Sequence, residues 1–112
     1  MNNPFESTRL PGCPGTDGIR DPHPEVVFFS STESVTVTTA MYGDKYVFGC
    51  SIYYENGRHV HTDPRPEFGR FSHRDDAEGY ALCLIRQKAR ISDEAMAEVN
   101  RRINFKQQLK LF

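Results

Sequence analysis

Residues 45–63 have the sequence KYVFGCSIYYENGRHVHTD, and this stretch decides the fold. Its first half is dense in aromatic and β-branched residues, which favour a strand that is packed on at least one side. Asn56-Gly57 follows, and this dipeptide strongly indicates a tight hairpin turn, so the chain should reverse into a second strand at RHVHTD. The stretch therefore predicts an antiparallel β-hairpin.

Two further segments before the hairpin have the same character. EVVFFSS is an apolar run of strand length, and SVTVTTAMY alternates β-branched residues. The breaks between segments are short, so four antiparallel strands in meander order are the simplest topology. Pro64 and Pro66 should end the sheet, because proline cannot donate to the hydrogen-bond ladder. The predicted buried residues of the sheet are Val26, Phe28, Val35, Val37, Val47 and Ile52.

Two helices are predicted after the sheet. Ser72 should cap the first, which runs from about residue 73 to 89 with apolar residues at three- or four-residue spacing. Ser92 should cap the second, and Met96, Val99 and Ile103 form its buried stripe. The sequence thus predicts an α+β fold, a four-stranded antiparallel meander sheet with two C-terminal helices on one face and a flexible N-terminal arm.

The N-terminal arm is predicted from the amino-acid composition of the first residues. Five of the seven prolines and three of the eight glycines precede Glu25, so residues 1–24 are predicted to form a flexible arm, 25–107 one domain and 108–112 an interaction peptide. A chain of 112 residues with net charge −1 allows one domain and excludes a wholly disordered chain. The N-terminus lacks the basic and apolar regions of a secretory signal, so we expect an intracellular, cytoplasmic protein.

The last five residues, QLKLF, carry the most specific motif of the chain. They resemble the peptide Gln-Leu-(Ser/Asp)-Leu-Phe, with which bacterial polymerases, mismatch-repair proteins and replication factors dock on the sliding clamp, and Lys110 is the one departure. A glutamine can hydrogen-bond to the rim of a pocket while a leucine and a terminal aromatic residue fill apolar hollows. The partner-binding residues would be Gln108, Leu109, Leu111 and Phe112.

This resemblance implies a non-catalytic accessory protein of bacterial, phage or mobile-element DNA metabolism whose partner is the DNA polymerase sliding clamp. The alternative for the same residues is structural, because a C-terminal helix often ends in apolar side chains that pack against their own domain. The stripe of Met96, Val99 and Ile103 does not continue through Leu109 and Phe112, which lie on a shifted face. That shift favours a tail that is separate from the buried stripe.

An Arg- and His-rich segment, residues 58–74, is the second candidate site. Guanidinium and imidazole groups beside aromatic rings suit phosphates and stacked bases. The strands and the helix start after them resemble the AP2-like arm-binding domain of tyrosine integrases, whose helix begins Phe-x-(Ser/Thr)-x-x-x-Ala; Phe71 and Ala77 keep that spacing, while His73 replaces the Ser/Thr. The alternative function is a small nucleic-acid-binding module that contacts DNA. Its candidate residues are Arg58, His59, His61, Arg65, Arg70 and Arg74.

Residues 59–63 also form an HxHxD string, which resembles the metal string of metallo-β-lactamase-type hydrolases. Two histidines two apart on a strand share a face and could bind zinc, with Asp63 as a further ligand. Pro64 stands where another histidine would be expected, and a chain this short has little room for the remaining ligands. A metal-dependent hydrolase is therefore the least favoured hypothesis, and no catalytic residue, metal or cofactor is predicted.

Overall fold

A computed structural model describes the backbone of residues 18–110 and the side chains of residues 18–108. Four strands, β1 (Ile19–Phe29), β2 (Ser34–Tyr42), β3 (Lys45–Tyr53) and β4 (His59–Arg65), form one antiparallel sheet in the order β1-β2-β3-β4. A short 3₁₀ turn, Pro66–Phe68, leads to two helices, α1 (Arg74–Lys88) and α2 (Asp93–Lys110). The predicted α+β fold with a four-stranded antiparallel meander is confirmed.

The predicted hairpin between β3 and β4 is confirmed as well. Gly57 has a φ of 87°, a conformation that glycine adopts without strain, and its N–H donates to the carbonyl of Tyr54 at 2.9 Å. The Asn56 side chain accepts a hydrogen bond from the Arg58 N–H at 2.9 Å. Both members of the Asn-Gly pair therefore hold the reversal.

Both helices pack against the same face of the sheet, α1 on β2 and β3 and α2 on β1. Cross-strand register brings the core residues of β2 and β3 together on this face, for example Val35 opposite Ile52 and Val37 opposite Cys50. On this face the burial of Val35, Val37 and Ile52 confirms three of the six core predictions for the sheet, and Val47, which is buried on the opposite face, confirms a fourth. From the helices, the fully buried residues include Ala77, Ala81, Leu82, Ile85 and Val99.

The first strand corrects one of the other two core predictions. A β-bulge interrupts the register between Val26 and Phe28, and it turns Val27 into the core at 5% exposure. Val26 is therefore 54% exposed rather than buried, whereas Phe28, opposite Val35, is partly buried and packs against the core. The prediction for Val26 was wrong because a bulge changes which side chains of an apolar run face inward.

The same strand begins earlier than predicted. Residues 19–24, which the sequence assigned to the arm, belong to β1, and residues 1–17 lie outside the described part of the chain. Pro22 and Pro24 are tolerated because β1 is an edge strand, where a residue without an N–H removes little from the ladder. A bulge between Arg20 and His23, with Asp21 at φ 53°, accommodates the irregular stretch.

The two helix starts differ. At α1, His73 occupies the N-cap position with extended backbone and no side-chain cap, so the prediction of Ser72 was wrong by one residue. Ser72 instead accepts a hydrogen bond from the Lys45 ammonium at 3.3 Å. At α2 the predicted cap is confirmed, because the Ser92 hydroxyl accepts from the Ala95 N–H at 3.2 Å.

The loop between β1 and β2 fixes the start of α2. Glu33 is only 4% exposed, and its carboxylate accepts hydrogen bonds from the Ser92 N–H, at 2.8 Å, and from the Ser92 hydroxyl. A carboxylate at this end of a helix also complements the positive end of the helix dipole. No helix in residues 18–110 has both the length and the apolar character that a membrane span requires.

Candidate functional site

The sheet face opposite the helices is not covered by any helix of the described residues. Register aligns one residue from each strand in a row across this face, and a second row lies beside it. We call this surface the open face; its two rows are Phe29, Ser34, Tyr53 and His59, and then Val26, Thr36, Ser51 and His61.

Apolar and aromatic side chains of the open face are strongly exposed. Phe29 is 77% exposed, Val26 54% and Tyr53 50%, while Ser and Thr hydroxyls occupy the middle strands. The rings of Tyr53 and His59 stack with centroids 3.8 Å apart and an interplanar angle of 3°. The open face thus presents flat rings beside hydrogen-bonding hydroxyls, a combination that stacks bases in single-stranded nucleic-acid sites.

Both histidines of the HxHxD string lie on the open face, but each already has a polar partner. His59 Nε2 is 3.0 Å from the Ser51 hydroxyl, and His61 Nε2 is 2.7 Å from Asp63 Oδ1. Burial, followed by the charge of His61, lowers the pKa of His59, so its ring stacks uncharged at neutral pH. Within residues 18–110, no three His, Cys, Asp or Glu side chains are placed to hold a metal ion.

The six residues proposed for nucleic acid do not form one surface. Arg70 lies over the ring of Tyr42 at 5.3 Å and Arg74 over that of Tyr46 at 4.9 Å. Tyr46 and Tyr53 stand at opposite ends of β3, about 23 Å apart at about 3.3 Å per residue. Arg70 and Arg74 are therefore separated from Arg58, His59 and His61.

Two of the six candidate nucleic-acid residues also make structural contacts within the fold. Arg74 donates to Thr39 Oγ1 at 2.9 Å and to Asp21 at 3.2 Å, tying α1 to both β2 and β1. Arg65 pairs with Phe48 across a bulge, and its Nε is buried with no hydrogen-bond partner. The bulge thus takes Arg65 out of the alternation that places His59 and His61 on the open face.

A cleft between α1 and α2 is a feature that the sequence analysis missed. It has a volume of about 430 Å³, with Phe71, Tyr80, Cys83 and Ile103 among the lining residues. Gly79 in α1 lines it as well, and an isolated glycine inside a helical pattern was the one sequence signal for such a feature.

The C-terminal peptide is only partly described. Ile103 is the last buried residue of α2 among the described side chains; Phe105 is 60% exposed, and Gln107 and Gln108 are exposed. Leu111 and Phe112 lie outside the described residues, as do the side chains of Leu109 and Lys110. Of the four predicted clamp-binding residues, Gln108 alone has a described side chain, and it faces solvent.

The fold by itself assigns no activity, because sheets covered by two helices serve many functions. The resemblance to the integrase arm-binding domain stays a prediction, as does the resemblance of QLKLF to clamp-binding peptides. Comparison of the chain with protein-family models, curated proteins and solved structures finds no match.

Proposed function

We propose that this protein is a non-catalytic accessory factor of bacterial, phage or mobile-element DNA metabolism that docks on the DNA polymerase sliding clamp through residues 108–112. The supporting observation is the end of α2, where burial stops at Ile103 and Gln108 is exposed. A peptide at such a position can leave its helix without removing a described core residue, since helix ends open at little cost in free energy.

The chemistry of the peptide sets the expected strength. Leu111 and Phe112 supply two apolar anchors, and Gln108 supplies the hydrogen bonds that fix the register. Ordering five residues on the clamp offsets part of the contact energy, so the affinity should be micromolar rather than nanomolar. Lys110 should point to solvent in the complex.

Alanine variants of the full chain test these residue roles by calorimetric titration against a bacterial clamp. Phe112→Ala and Leu111→Ala should each raise Kd at least about 30-fold, because losing a buried anchor costs about 2 kcal/mol or more. Phe105→Ala is the matched control, exposed on α2 just before the peptide, and should leave Kd within about twofold. Equal losses at all three positions, or none at Phe112, would count against the proposal.

The open face supports a second candidate, a single-stranded nucleic-acid module. The observation in its favour is the Tyr53–His59 stack, with an exposed Phe29 in the same row two strands away. The positive charge is small, because His59 is held neutral and His61 is paired with Asp63. Binding should therefore be weak, about 10⁻⁴ to 10⁻⁶ M, with a shallow salt dependence.

Fluorescence titration of a labelled single-stranded oligonucleotide tests this candidate. Tyr53→Ala should weaken binding at least about fivefold, since each stacked base contributes about 1–3 kcal/mol. Arg70→Ala, at the far end of the sheet, should change it less than about twofold. Binding that responds to Arg70→Ala and ignores Tyr53→Ala would place the contact elsewhere and reject the open face as the site.

A further inference from the structure

The cleft lies where the end of α2 meets the beginning of α1. Lys106 near the end of α2 contacts Asp75 at 3.3 Å and Glu78 at 2.9 Å, so the two helices run antiparallel. Burial lowers the pKa of Lys106, but Glu78 and Asp75 outweigh it and raise the pKa. These ion pairs hold the end of α2 against α1 and keep the walls of the cleft together.

The cleft combines an apolar floor with an acidic rim. Phe71, Tyr80 and Ile103 are the apolar part of its lining, which we call the floor, and Asp75, 75% exposed, and Asp76 are the acidic part, which we call the rim. An ideal Cβ on Gly79 would have only the Lys106 side chain within 4 Å, at 3.9 Å, so no described side chain fills the space beside this glycine. The walls suit an apolar group that carries a positive charge next to it.

The end of this chain has that chemistry and lies within reach. Gln107 lines the cleft, and residues four apart on a helix share a face. Leu111 is four residues beyond Gln107, and long side chains on a helix lean toward its N-terminus, so a continued α2 would direct Leu111 back over Gln107. By the same spacing Lys110 follows Lys106, which already contacts Asp75.

We propose that the cleft between α1 and α2 is the docking site for the chain's own last residues, with Leu111 against its apolar floor and Lys110 beside Asp75. Lys110 is the one residue that departs from the clamp-binding consensus, and charge complementarity with the acidic rim gives that departure a role. The docking itself does not depend on the proposed function. Its consequence does, because Leu111 cannot occupy the cleft and the clamp at the same time.

Docking would lower the apparent affinity for the clamp. The apparent Kd equals the intrinsic Kd divided by the undocked fraction, so a tail that is docked nine-tenths of the time binds about tenfold more weakly. The cleft is thus an autoinhibitory site for the peptide.

Labelling of Cys83 tests the docking without any clamp. Cys83 lines the cleft and is partly exposed, whereas burial raises the pKa of Cys50 to about 12 and leaves that thiol unreactive. In a Cys13→Ser background, a maleimide dye should label Cys83 at least about fivefold faster in a chain ending at Gln107 than in the full chain. Phe105→Ala is the control, exposed on the same helix, and should leave the rate unchanged. Equal rates with and without the tail would overturn the proposal.

A cleft-filling variant separates this inference from clamp docking. Gly79→Leu should occupy the cleft, release the tail and tighten calorimetric binding to a bacterial clamp about tenfold, while Arg86→Leu on the exposed side of α1 should not. If the clamp is bound but Gly79→Leu changes nothing, the cleft proposal fails and clamp docking stands. If neither chain binds the clamp while the tail still protects Cys83, clamp docking fails and the cleft proposal stands.

Discussion

Gly49→Ala should be among the most damaging single substitutions in this protein, with a loss of about 3 kcal/mol or more in the free energy of unfolding. A Cβ on Gly49 would lie 2.3 Å from the Thr62 carbonyl oxygen, 2.5 Å from the Asp63 carbonyl carbon and 2.6 Å from the Pro64 nitrogen. All three atoms belong to backbone, so no rotamer change can relieve the clash. The strand β4 must move instead, and with it the pairing that places His59 and His61.

Thermal unfolding followed by circular dichroism measures this loss. For a domain of this size about 1 kcal/mol corresponds to about 4–8 °C, so the Tm of Gly49→Ala should fall by more than about 12 °C. Gly79→Ala is the control, because its Cβ meets nothing closer than 3.9 Å and alanine favours a helix; it should be neutral or raise stability by up to about 1 kcal/mol. A Gly49→Ala protein as stable as the control would show that β4 does not press against β3 as described.

Phe48→Ala should cost about 3–5 kcal/mol. Phe48 is the largest fully buried side chain among residues 18–108, and its ring centroid lies 5.9 Å from that of Phe68, 6.4 Å from that of Phe71 and 5.7 Å from that of Tyr80. Its removal leaves a cavity where the sheet, the 3₁₀ turn and α1 meet. Because Phe71 and Tyr80 also line the cleft, the same variant should loosen that site.

Urea denaturation gives the free energy for Phe48→Ala and for a matched control. Phe29→Ala removes an aromatic side chain that is 77% exposed on the open face, so its stability should stay within about 0.5 kcal/mol of the parent chain. Equal losses in the two variants would mean that the helices do not cover the sheet face that carries Phe48.

Local sequence signals were sufficient to predict the four-stranded meander sheet. Asn56-Gly57 fixes the reversal between β3 and β4, and the alternation in β2 shows which residues face inward. The apolar run at Val26 to Phe29 carries no alternation, so nothing in it indicates that a bulge turns Val27 inward and leaves Val26 exposed. Register in such a run is decided by tertiary packing.

The candidate sites depended more strongly on tertiary structure. Arg58 and Arg74 begin and end one basic segment, but β4 and the 3₁₀ turn between them carry the chain from one end of β3 to the other. The cleft arises where α1 and α2 meet, and only Gly79 hinted at it in the sequence. The C-terminal motif, in contrast, could be recognised in the sequence, because a peptide motif depends on residue order and not on the fold.

The most direct test of clamp docking is a calorimetric titration of two chains against a bacterial sliding clamp, the full chain and one ending at Gln107. We predict that the full chain binds in the micromolar range, about −8 kcal/mol at about 1 μM, and that the shorter chain stays folded but gives no binding heat. Equal binding by the two chains would contradict the claim. The claim would also be contradicted if the full chain did not bind and the shorter chain unfolded, because the tail would then belong to the core.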